Sequence, residues 1–224
     1  MVETVNKKGA PDPEEMARMA MERNGLYRLL AAVFREEMTA EVLSRLSAPE
    51  FQNVLEQTGV ETTAFISDEA KEKQIEDLAL EFSRLFFGPG NHVSAHESVH
   101  LGGDGGSLWG PQTVAVKKFI ETAGYVYDSE YHGLPDHISV ELEFMAHLTD
   151  QEAEAWNDRD KARALNCLHV QQLFMDRHLG CWVNPFADAV AELGKMPMYV
   201  QMAALARDFV GAEREELKQF HEFD

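Results

Sequence analysis

An aspartate and a histidine, Asp136 and His137, stand side by side at a predicted helix entrance. Pro135 cannot continue a preceding helix, and Asp136 is a preferred N-cap whose carboxylate can accept a backbone N–H one turn on. The positive end of the helix dipole disfavours a charged imidazole, so we expect His137 to be neutral. Together with Glu141 one turn further on, this pair could bind an arginine side chain. Taken alone, the pattern is typical of a plain capped helix.

Three histidines at a spacing of four residues form a second candidate site: His92, His96 and His100. On one helix face such imidazoles could bind zinc, nickel or iron, and Glu97-x-x-His100 has the spacing of a di-iron bundle motif. A di-iron bundle needs two such motifs plus further glutamates, whereas this chain offers one motif bracketed by glycine and proline. The sequence therefore predicts no metal site, and a metal-binding helical-bundle enzyme stays as the alternative.

No motif in the chain predicts a cofactor or a catalytic nucleophile. The glycine-rich run 102–107 lacks the P-loop lysine and does not follow a strand, which favours a flexible loop over a phosphate cradle. The nucleophile elbow Gly-x-Ser-x-Gly is absent from the sequence. Both Cys167 and Cys181 stand beside apolar residues, so we expect both to be packed inside the protein. These observations predict no cofactor and no catalytic nucleophile.

The charge balance restricts the possible partners. The 20 lysines and arginines against 39 aspartates and glutamates give a formal net charge of −19. Nucleic acid and anionic membranes are therefore poor partners, and a basic partner is favoured. Two cysteines make no disulfide framework, no secretory signal opens the chain, and no apolar run reaches transmembrane length. We expect a cytoplasmic protein without stable membrane insertion.

Helical periodicity dominates the sequence, and no stretch predicts a strand. Caps and apolar spacing predict helices that start at Asp12-Pro13, after Thr39, after Pro49, at 67–69 and at Asp136, and that cover 114–123, 163–179, 185–193 and 197–210. Three glycines are predicted to follow helix ends, and the tail after the last of them to fray: Gly180, Gly194 and Gly211. The segment 88–110 has seven glycines and few apolar residues to anchor it, so we expect it to be mobile. Helices joined by short links predict an all-α bundle.

An aromatic element precedes the Asp136 helix by some fifty residues. It runs Glu81-Phe82-Ser83-Arg84-Leu85-Phe86-Phe87-Gly88-Pro89-Gly90, an aromatic residue, two unspecified positions, Leu-Phe and then a Gly/Pro break. Further elements follow in order: Glu97-Ser98-Val99, Gly110-Pro111, Ala123-Gly124-Tyr125, Pro135-Asp136-His137, and Trp182 with Pro185-Phe186. Over residues 14 to 212 this ordered set resembles the TorD/DmsD family of redox-enzyme maturation chaperones. The chain departs from that family at Gly133, usually Glu, and at Ala95-His96, usually Pro and an aromatic residue.

The resemblance implies an all-helical fold in two packed halves. The divisions would be a flexible tail 1–11, an N-terminal half 12–132 with the mobile loop 88–110, a hinge 133–137 and a C-terminal half 138–224. The implied function is a chaperone that binds the twin-arginine signal peptide of a molybdopterin oxidoreductase catalytic subunit, assists insertion of the molybdenum cofactor and delays export. Because such binding needs no covalent chemistry, we expect a protein that is not an enzyme. We expect a monomer or a homodimer. An interaction subunit retained with the mature oxidoreductase is a second alternative.

The signal-peptide site implied by the resemblance combines polar and aromatic residues. Its members would be Asp136, His137, Glu141, Phe82, Leu85, Phe86, Trp109 and Tyr125. Because Phe82, Leu85 and Phe86 fall on the apolar stripe of their helix, we expect them to be mostly core, with one or two open to a groove. Trp109 and Tyr125 stand near loops and could line the same groove.

Overall fold

The computed structural model describes residues 12–49, 52, 55, 56, 71–103, 106–125 and 133–220. The described helices are α1 Pro13–Arg35, α2 Ala40–Leu46, α3 Lys71–Phe82, α4 Glu97–His100, α5 Pro111–Thr122, α6 Ile138–Asn157, α7 Lys161–Arg177, α8 Leu179–Leu193 and α9 Pro197–Gln219. A π-helical turn, Ser83–Phe87, continues α3. The tail 1–11, most of the helix predicted after Pro49 and the predicted start at 67–69 lie outside the described residues. So do Asp104 and Gly105 of the predicted mobile loop.

The all-α prediction is confirmed. Within the described residues there is no β-strand, and the only β-type pairing is an isolated antiparallel bridge between His96 and His137. The first two helices begin as predicted, since the Asp12 carboxylate accepts the Glu14 N–H at 3.2 Å and the Thr39 hydroxyl accepts the Val42 N–H at 3.2 Å. None of the described helices combines the length and the apolar character needed to cross a lipid bilayer.

A buried arginine ties four helices together inside the bundle. From α1, Arg23 donates to the Glu152 carboxylate of α6 at 2.6 Å and to the Glu213 carboxylate of α9 at 3.3 Å. It also donates to the Gln171 side-chain oxygen of α7 at 3.1 Å. Burial alone would lower the pKa of Arg23, but the two carboxylates raise it above its usual range. One continuous apolar core surrounds this network.

The two last helices are longer than predicted. Helix α8 starts before Pro185, because Trp182, Phe186 and Val190 recur at helical spacing and are buried on both sides of the proline. Burial of the indole outweighs the cost of an interior proline, which is about 3 kcal/mol. Helix α9 continues through Gly211 because Glu213 and Leu217 beyond it are buried. Gly180 and Gly211 are therefore helical, contrary to the prediction, and Gly194 alone follows a helix end.

Segment 88–110 is better anchored than its sequence predicts. Val93, Ala95, Glu97 and Ser98 are buried, and Glu97–His100 forms a helical turn. The expectation that little anchors this segment is wrong, because backbone hydrogen bonds and a buried carboxylate replace the missing apolar side chains. Mobility around Gly102 stays a prediction. Cys167 is buried as predicted, whereas Cys181 is exposed, since it lies on the outer side of α8.

Candidate functional site

The Asp136 turn holds α4 in place. The Glu97 N–H donates to the Asp136 carbonyl oxygen at 2.9 Å, and the Ile138 N–H donates to the Ala95 carbonyl oxygen at 2.9 Å. The Asp136 carboxylate accepts the Ser98 N–H at 3.0 Å. Asp136 therefore satisfies the first two free N–H groups of a helix that lies some forty residues upstream.

The prediction that Asp136 caps its own helix is wrong. The N-cap of α6 is His137, whose Nδ1 accepts the Ser139 N–H at 3.2 Å. Spacing along the sequence cannot reveal which helix Asp136 caps, because a carboxylate next to two helices can cap either of them.

His137 is neutral, as predicted. Burial, followed by the nearby His96 and Arg35, lowers the pKa of His137 to about 3. An unprotonated Nδ1 is also what the cap requires, since it accepts the Ser139 N–H. The main cause of the lowered pKa is burial and not the helix dipole.

Two glutamates share the space behind Asp136. Glu141 is fully buried and accepts the Trp182 indole N–H at 3.0 Å. Glu97 accepts a hydrogen bond from His178 Nδ1, which lies 3.1 Å from Oε2. Burial, then the Glu97 carboxylate, raises the pKa of Glu141 well above its usual value. The raised pKa favours the protonated form of Glu141, whose O–H can donate to Glu97.

We call Glu97, Asp136, His137, Glu141 and His178 the buried polar cluster. Three buried oxygens here have no donor within hydrogen-bond distance: Ser98 Oγ, Asp136 Oδ1 and Glu141 Oε1. This surplus of acceptors favours a proton on Glu141, in line with its raised pKa.

The cluster predicts a pH optimum of stability. His137 of the cluster and the neighbouring His96 and His100 all have lowered pKa values, chiefly through burial. Between about pH 3 and 6.5 the unfolded chain therefore binds a proton at His137 that the folded protein does not, and His96 and His100 add to this effect below their usual pKa of 6.5. Stability must fall with falling pH in this window, by about 1.4 kcal/mol per pH unit for His137 alone. Glu141 acts oppositely, because the folded protein keeps a proton that unfolded Glu141 releases above about pH 4.5. Its contribution falls as pH rises towards the pKa of the folded state.

Urea unfolding between pH 4 and 9 measures the loss of stability on the acid side (the acid limb) and on the alkaline side (the alkaline limb). We expect His137→Asn, which keeps a capping side chain, to flatten the acid limb, and Glu141→Gln to flatten the alkaline limb. Unchanged slopes in both variants would contradict the assigned protonation states.

An open apolar groove lies between α5 and α7 and ends at the buried polar cluster. It encloses about 660 Å³ and is lined chiefly by Ala115, Phe119, Ala123, Val170 and Leu173. His178 lies at the base of the groove. Its ring centroid is 5.5 Å from that of Phe119, and its Nδ1 donates a hydrogen bond to Glu97. We call this feature the apolar groove.

Exposed apolar side chains stand where α5 begins. Trp109 is 75% exposed, Val114 is 63% exposed and Leu108 is 50% exposed. Trp109 also has a φ of +67°, a left-handed conformation that costs free energy for a bulky residue. Val114 and Ala115 are both exposed on α5, and Ala115 lines the apolar groove.

The structure separates the predicted site residues into three groups. Asp136, His137 and Glu141 meet in the buried polar cluster, and none reaches the surface. Phe82, Leu85 and Phe86 are buried in the core, where Phe86 packs on Phe186 and Tyr199. Trp109 is exposed in the turn before α5, and Tyr125 packs on Phe144 and His147. Whether these residues bind a signal peptide stays a prediction.

The sequence does not predict the apolar groove. The available signal is a set of apolar residues in α5, just after it and in α7: Ala115, Phe119, Ala123, Val170 and Leu173. A stripe of this kind is usually core, and only the packing of the two helices leaves it open.

The three histidines at four-residue spacing do not share a helix face. His92 is exposed and bonds the Gly90 carbonyl oxygen at 3.1 Å, whereas His100 donates to the Ser94 carbonyl oxygen at 2.7 Å and stacks on Trp182. His96 packs against the His137 ring instead. Within the described ranges, no group of three His, Cys, Asp or Glu side chains is arranged to hold a metal ion.

Comparison with known proteins gives a consistent set of relatives. A family model described as nitrate reductase delta subunit matches residues 34–188. The chaperone protein TorD of Shewanella pealeana is 25% identical over 212 residues, which cover 88% of this chain and 90% of that protein. TorD of Vibrio cholerae strain O395 is 23% identical over 215 residues, which cover 90% of this chain and 94% of that protein. The perchlorate reductase assembly chaperone of Dechloromonas aromatica is 30% identical over 102 residues, which cover 46% of this chain and 45% of that protein.

A solved structure supports the fold. The structure described as a redox enzyme maturation protein from Archaeoglobus fulgidus superposes with a TM-score of 0.51 at 22% identity. The superposition covers 84% of this chain and 93% of that one. At this identity the likeness concerns the arrangement of helices alone.

Proposed function

This chain belongs to the TorD family of redox-enzyme maturation chaperones, and from that membership we propose that it binds the twin-arginine signal peptide of a molybdenum-cofactor oxidoreductase. In this proposal it acts in the cytoplasm, holds the client until the cofactor is inserted and delays export. Members of the family assist the maturation of other proteins, so the chain is a chaperone and not an enzyme.

The apolar groove is the observation that carries the proposal. A twin-arginine leader has a basic start followed by an apolar segment that can form a helix. Amphipathic or apolar helices bind in grooves between helices through side chains spaced by three or four residues. A groove of about 660 Å³ between α5 and α7 offers such a surface, and Trp109 and Val114 are exposed at the start of α5.

The charges around the groove favour one orientation of the leader. The charged side chains that line it are Lys118 and Arg177, and no carboxylate lines it among the described residues. These cations repel the arginine pair of the leader and complement the negative C-terminal end of a bound helix. The arginine pair would then extend away from this rim, drawn to the protein by its net charge of −19.

In this proposal the buried polar cluster supports the groove from behind. His178 joins the two, because it forms the base of the groove and donates to Glu97. Asp136 holds the residues that begin α4, and the chain then leads to Trp109. Substitutions at Asp136, His137 or Glu141 would therefore act on binding by moving the segment that carries Trp109.

Calorimetry with a synthetic leader tests the proposal. The peptide carries Arg-Arg followed by an apolar segment of about 12 leucine and alanine residues. We expect Trp109→Ala and Leu173→Ala each to weaken binding by about 10-fold or more, as buried anchors of an interface do. Leu80→Ala is the matched control, since Leu80 is 64% exposed on α3 and does not line the groove.

Changes in the peptide and in salt separate the two parts of recognition. Raising the salt from 0.1 M to 1 M shortens the Debye length from about 10 Å to about 3 Å, so affinity should fall without vanishing. Replacing two leucines by serine should cost more than replacing Arg-Arg by Lys-Lys, since lysine keeps the charge. Affinity that is insensitive to the leucine changes and to both groove variants would rule out the groove.

A leaderless client distinguishes the chaperone from a retained subunit. A signal-peptide chaperone should release the mature oxidoreductase once the leader is removed, whereas an interaction subunit should stay bound. Pull-down with precursor and leaderless client, at equal concentrations, measures the difference.

A further inference from the structure

A second cavity lies between α7 and the C-terminal end of α9. It encloses about 410 Å³, which is within the range of about 300–1,000 Å³ that ligand sites usually span. It shares no lining residue with the apolar groove, although both cavities use α7. We call this cavity the amide pocket. Its wall combines three apolar and three polar side chains: Leu165, Leu217 and Phe220, and Asn166, His169 and Gln172.

Gln172 is a buried amide without a partner inside the protein. It is 9% exposed, and within the described residues its side chain forms no hydrogen bond. The preceding residue behaves as buried amides usually do, since Gln171 donates to the Glu152 carboxylate at 2.8 Å. The small exposed part of Gln172 faces the amide pocket, because Gln172 forms part of its wall. An unpartnered amide at a cavity marks a position where a ligand can supply the missing hydrogen bonds.

The wall of the amide pocket carries little charge. Among the described residues, no lysine, arginine, aspartate or glutamate lines it. A charged group that entered the pocket would lose water without gaining a counter-ion, which disfavours ionic ligands. Such a wall stands out in a chain with a net charge of −19. The pocket therefore suits an uncharged ligand with an apolar part.

The two amides of the pocket are spaced for an extended peptide chain. Asn166 and Gln172 are six residues apart on α7, which is about 9 Å along the helix axis at roughly 1.5 Å per residue. Three residues of an extended chain cover about the same distance at roughly 3.3 Å per residue. Each amide offers an oxygen and an NH2 group, which match the N–H and the C=O of a peptide group. A chain that lies across both amides presents the side chain between them to Leu165, Leu217 and Phe220.

We propose that the amide pocket binds an extended, uncharged peptide segment of a partner protein. The amides of Gln172 and Asn166 form hydrogen bonds with the backbone of the segment. One aromatic or leucine side chain of the segment packs against the apolar part of the wall. The proposal does not depend on leader binding, because the two cavities have no residue in common.

An NMR titration of the full-length protein with a blocked neutral peptide, acetyl-Ser-Gly-Phe-Gly-Ser-amide, tests this proposal. We expect the side-chain NH2 resonances of Gln172 and Asn166 to shift and to saturate. Replacing the phenylalanine of the peptide by serine removes the apolar anchor, and methylating its two glycine nitrogens removes backbone donors. Each change should weaken binding by about 10-fold or more.

The variant Gln172→Leu separates a ligand site from a structural role. Leucine keeps most of the volume and removes an amide that has no partner, so the melting temperature should stay the same or rise. Peptide binding, followed through the Asn166 resonance, should weaken by about 10-fold or more. Gln151→Leu is the matched control, because Gln151 is a half-buried glutamine of α6 that lines neither cavity. Leader affinity should be unchanged in Gln172→Leu, so this test and that of the groove can fail separately.

Several results would overturn the assignment. A lower melting temperature in Gln172→Leu would show that the amide supports the fold and does not await a ligand. Equal peptide binding by wild type and Gln172→Leu, or no saturable shift in either, would exclude the pocket. Tighter binding of a peptide with glutamate or lysine in place of its serines would indicate an ionic surface and not a site for an uncharged segment.

Discussion

Replacing Arg23 by methionine is expected to lower the free energy of unfolding by about 3–5 kcal/mol. Methionine fills much of the volume of the arginine stem but leaves Glu152 and Glu213 as buried carboxylates without their cation. An unpaired buried charge costs far more than the ion pair itself contributes. A loss of this size is a large share of the roughly 5–15 kcal/mol that stabilises a typical domain.

Two further variants identify the cause of the Arg23 effect. If uncompensated charge is responsible, adding Glu152→Gln to Arg23→Met should recover part of the stability, and lowering the pH should shrink the deficit. Arg18→Met, on the exposed side of the same helix, should change little, because its pairs with Glu15 and Glu22 are open to solvent. Urea unfolding followed by circular dichroism measures all four proteins. A deficit in Arg23→Met that neither the second substitution nor acid reduces would point to lost packing instead.

Asp136→Ala is expected to cost about 2–3 kcal/mol of stability and to weaken leader binding. The substitution removes the acceptor of the buried Ser98 N–H, and an unmet buried donor costs about 1–3 kcal/mol, with a small cavity in addition. Because the same bond holds the segment that leads to Trp109, binding should weaken together with stability. Asp136→Asn keeps an acceptor oxygen in the same place and should retain most of both.

The comparison of the two Asp136 variants separates geometry from charge. If Asn binds the leader as well as Asp does, the carboxylate acts through the position of α4. Should Asn keep the stability and still lose binding as Ala does, the negative charge itself takes part in recognition. Asp12→Ala serves as the control, because Asp12 caps α1 far from the groove in sequence and should change stability without changing leader affinity.

The candidate site was predicted in part, and its misses share a cause. The neutral state of His137 was predicted correctly, and Asp136 was placed correctly at the entrance of α6. The partner of the Asp136 carboxylate was not predicted, because Ser98 lies 38 residues away. The pairing of Glu97 with His178 spans 81 residues and leaves no periodic signal in the sequence. The apolar groove was missed because exposed and buried apolar stripes look alike until the neighbouring helix is known.

Local sequence determined the class of fold, most helix starts and the strongly acidic surface. Asp12, Thr39 and the apolar spacing of α6 act within one or two turns, and short-range hydrogen bonds and periodic burial suffice to specify them. Tertiary structure alone decided where α8 begins and where α9 ends, since burial of Trp182 and Leu217 by other helices overrides a proline and a glycine. It also decided that Asp136 caps a distant helix and that burial beside Glu97 raises the pKa of Glu141. Each of these depends on groups that are distant in sequence, whose free energy of interaction exists only once the helices are packed.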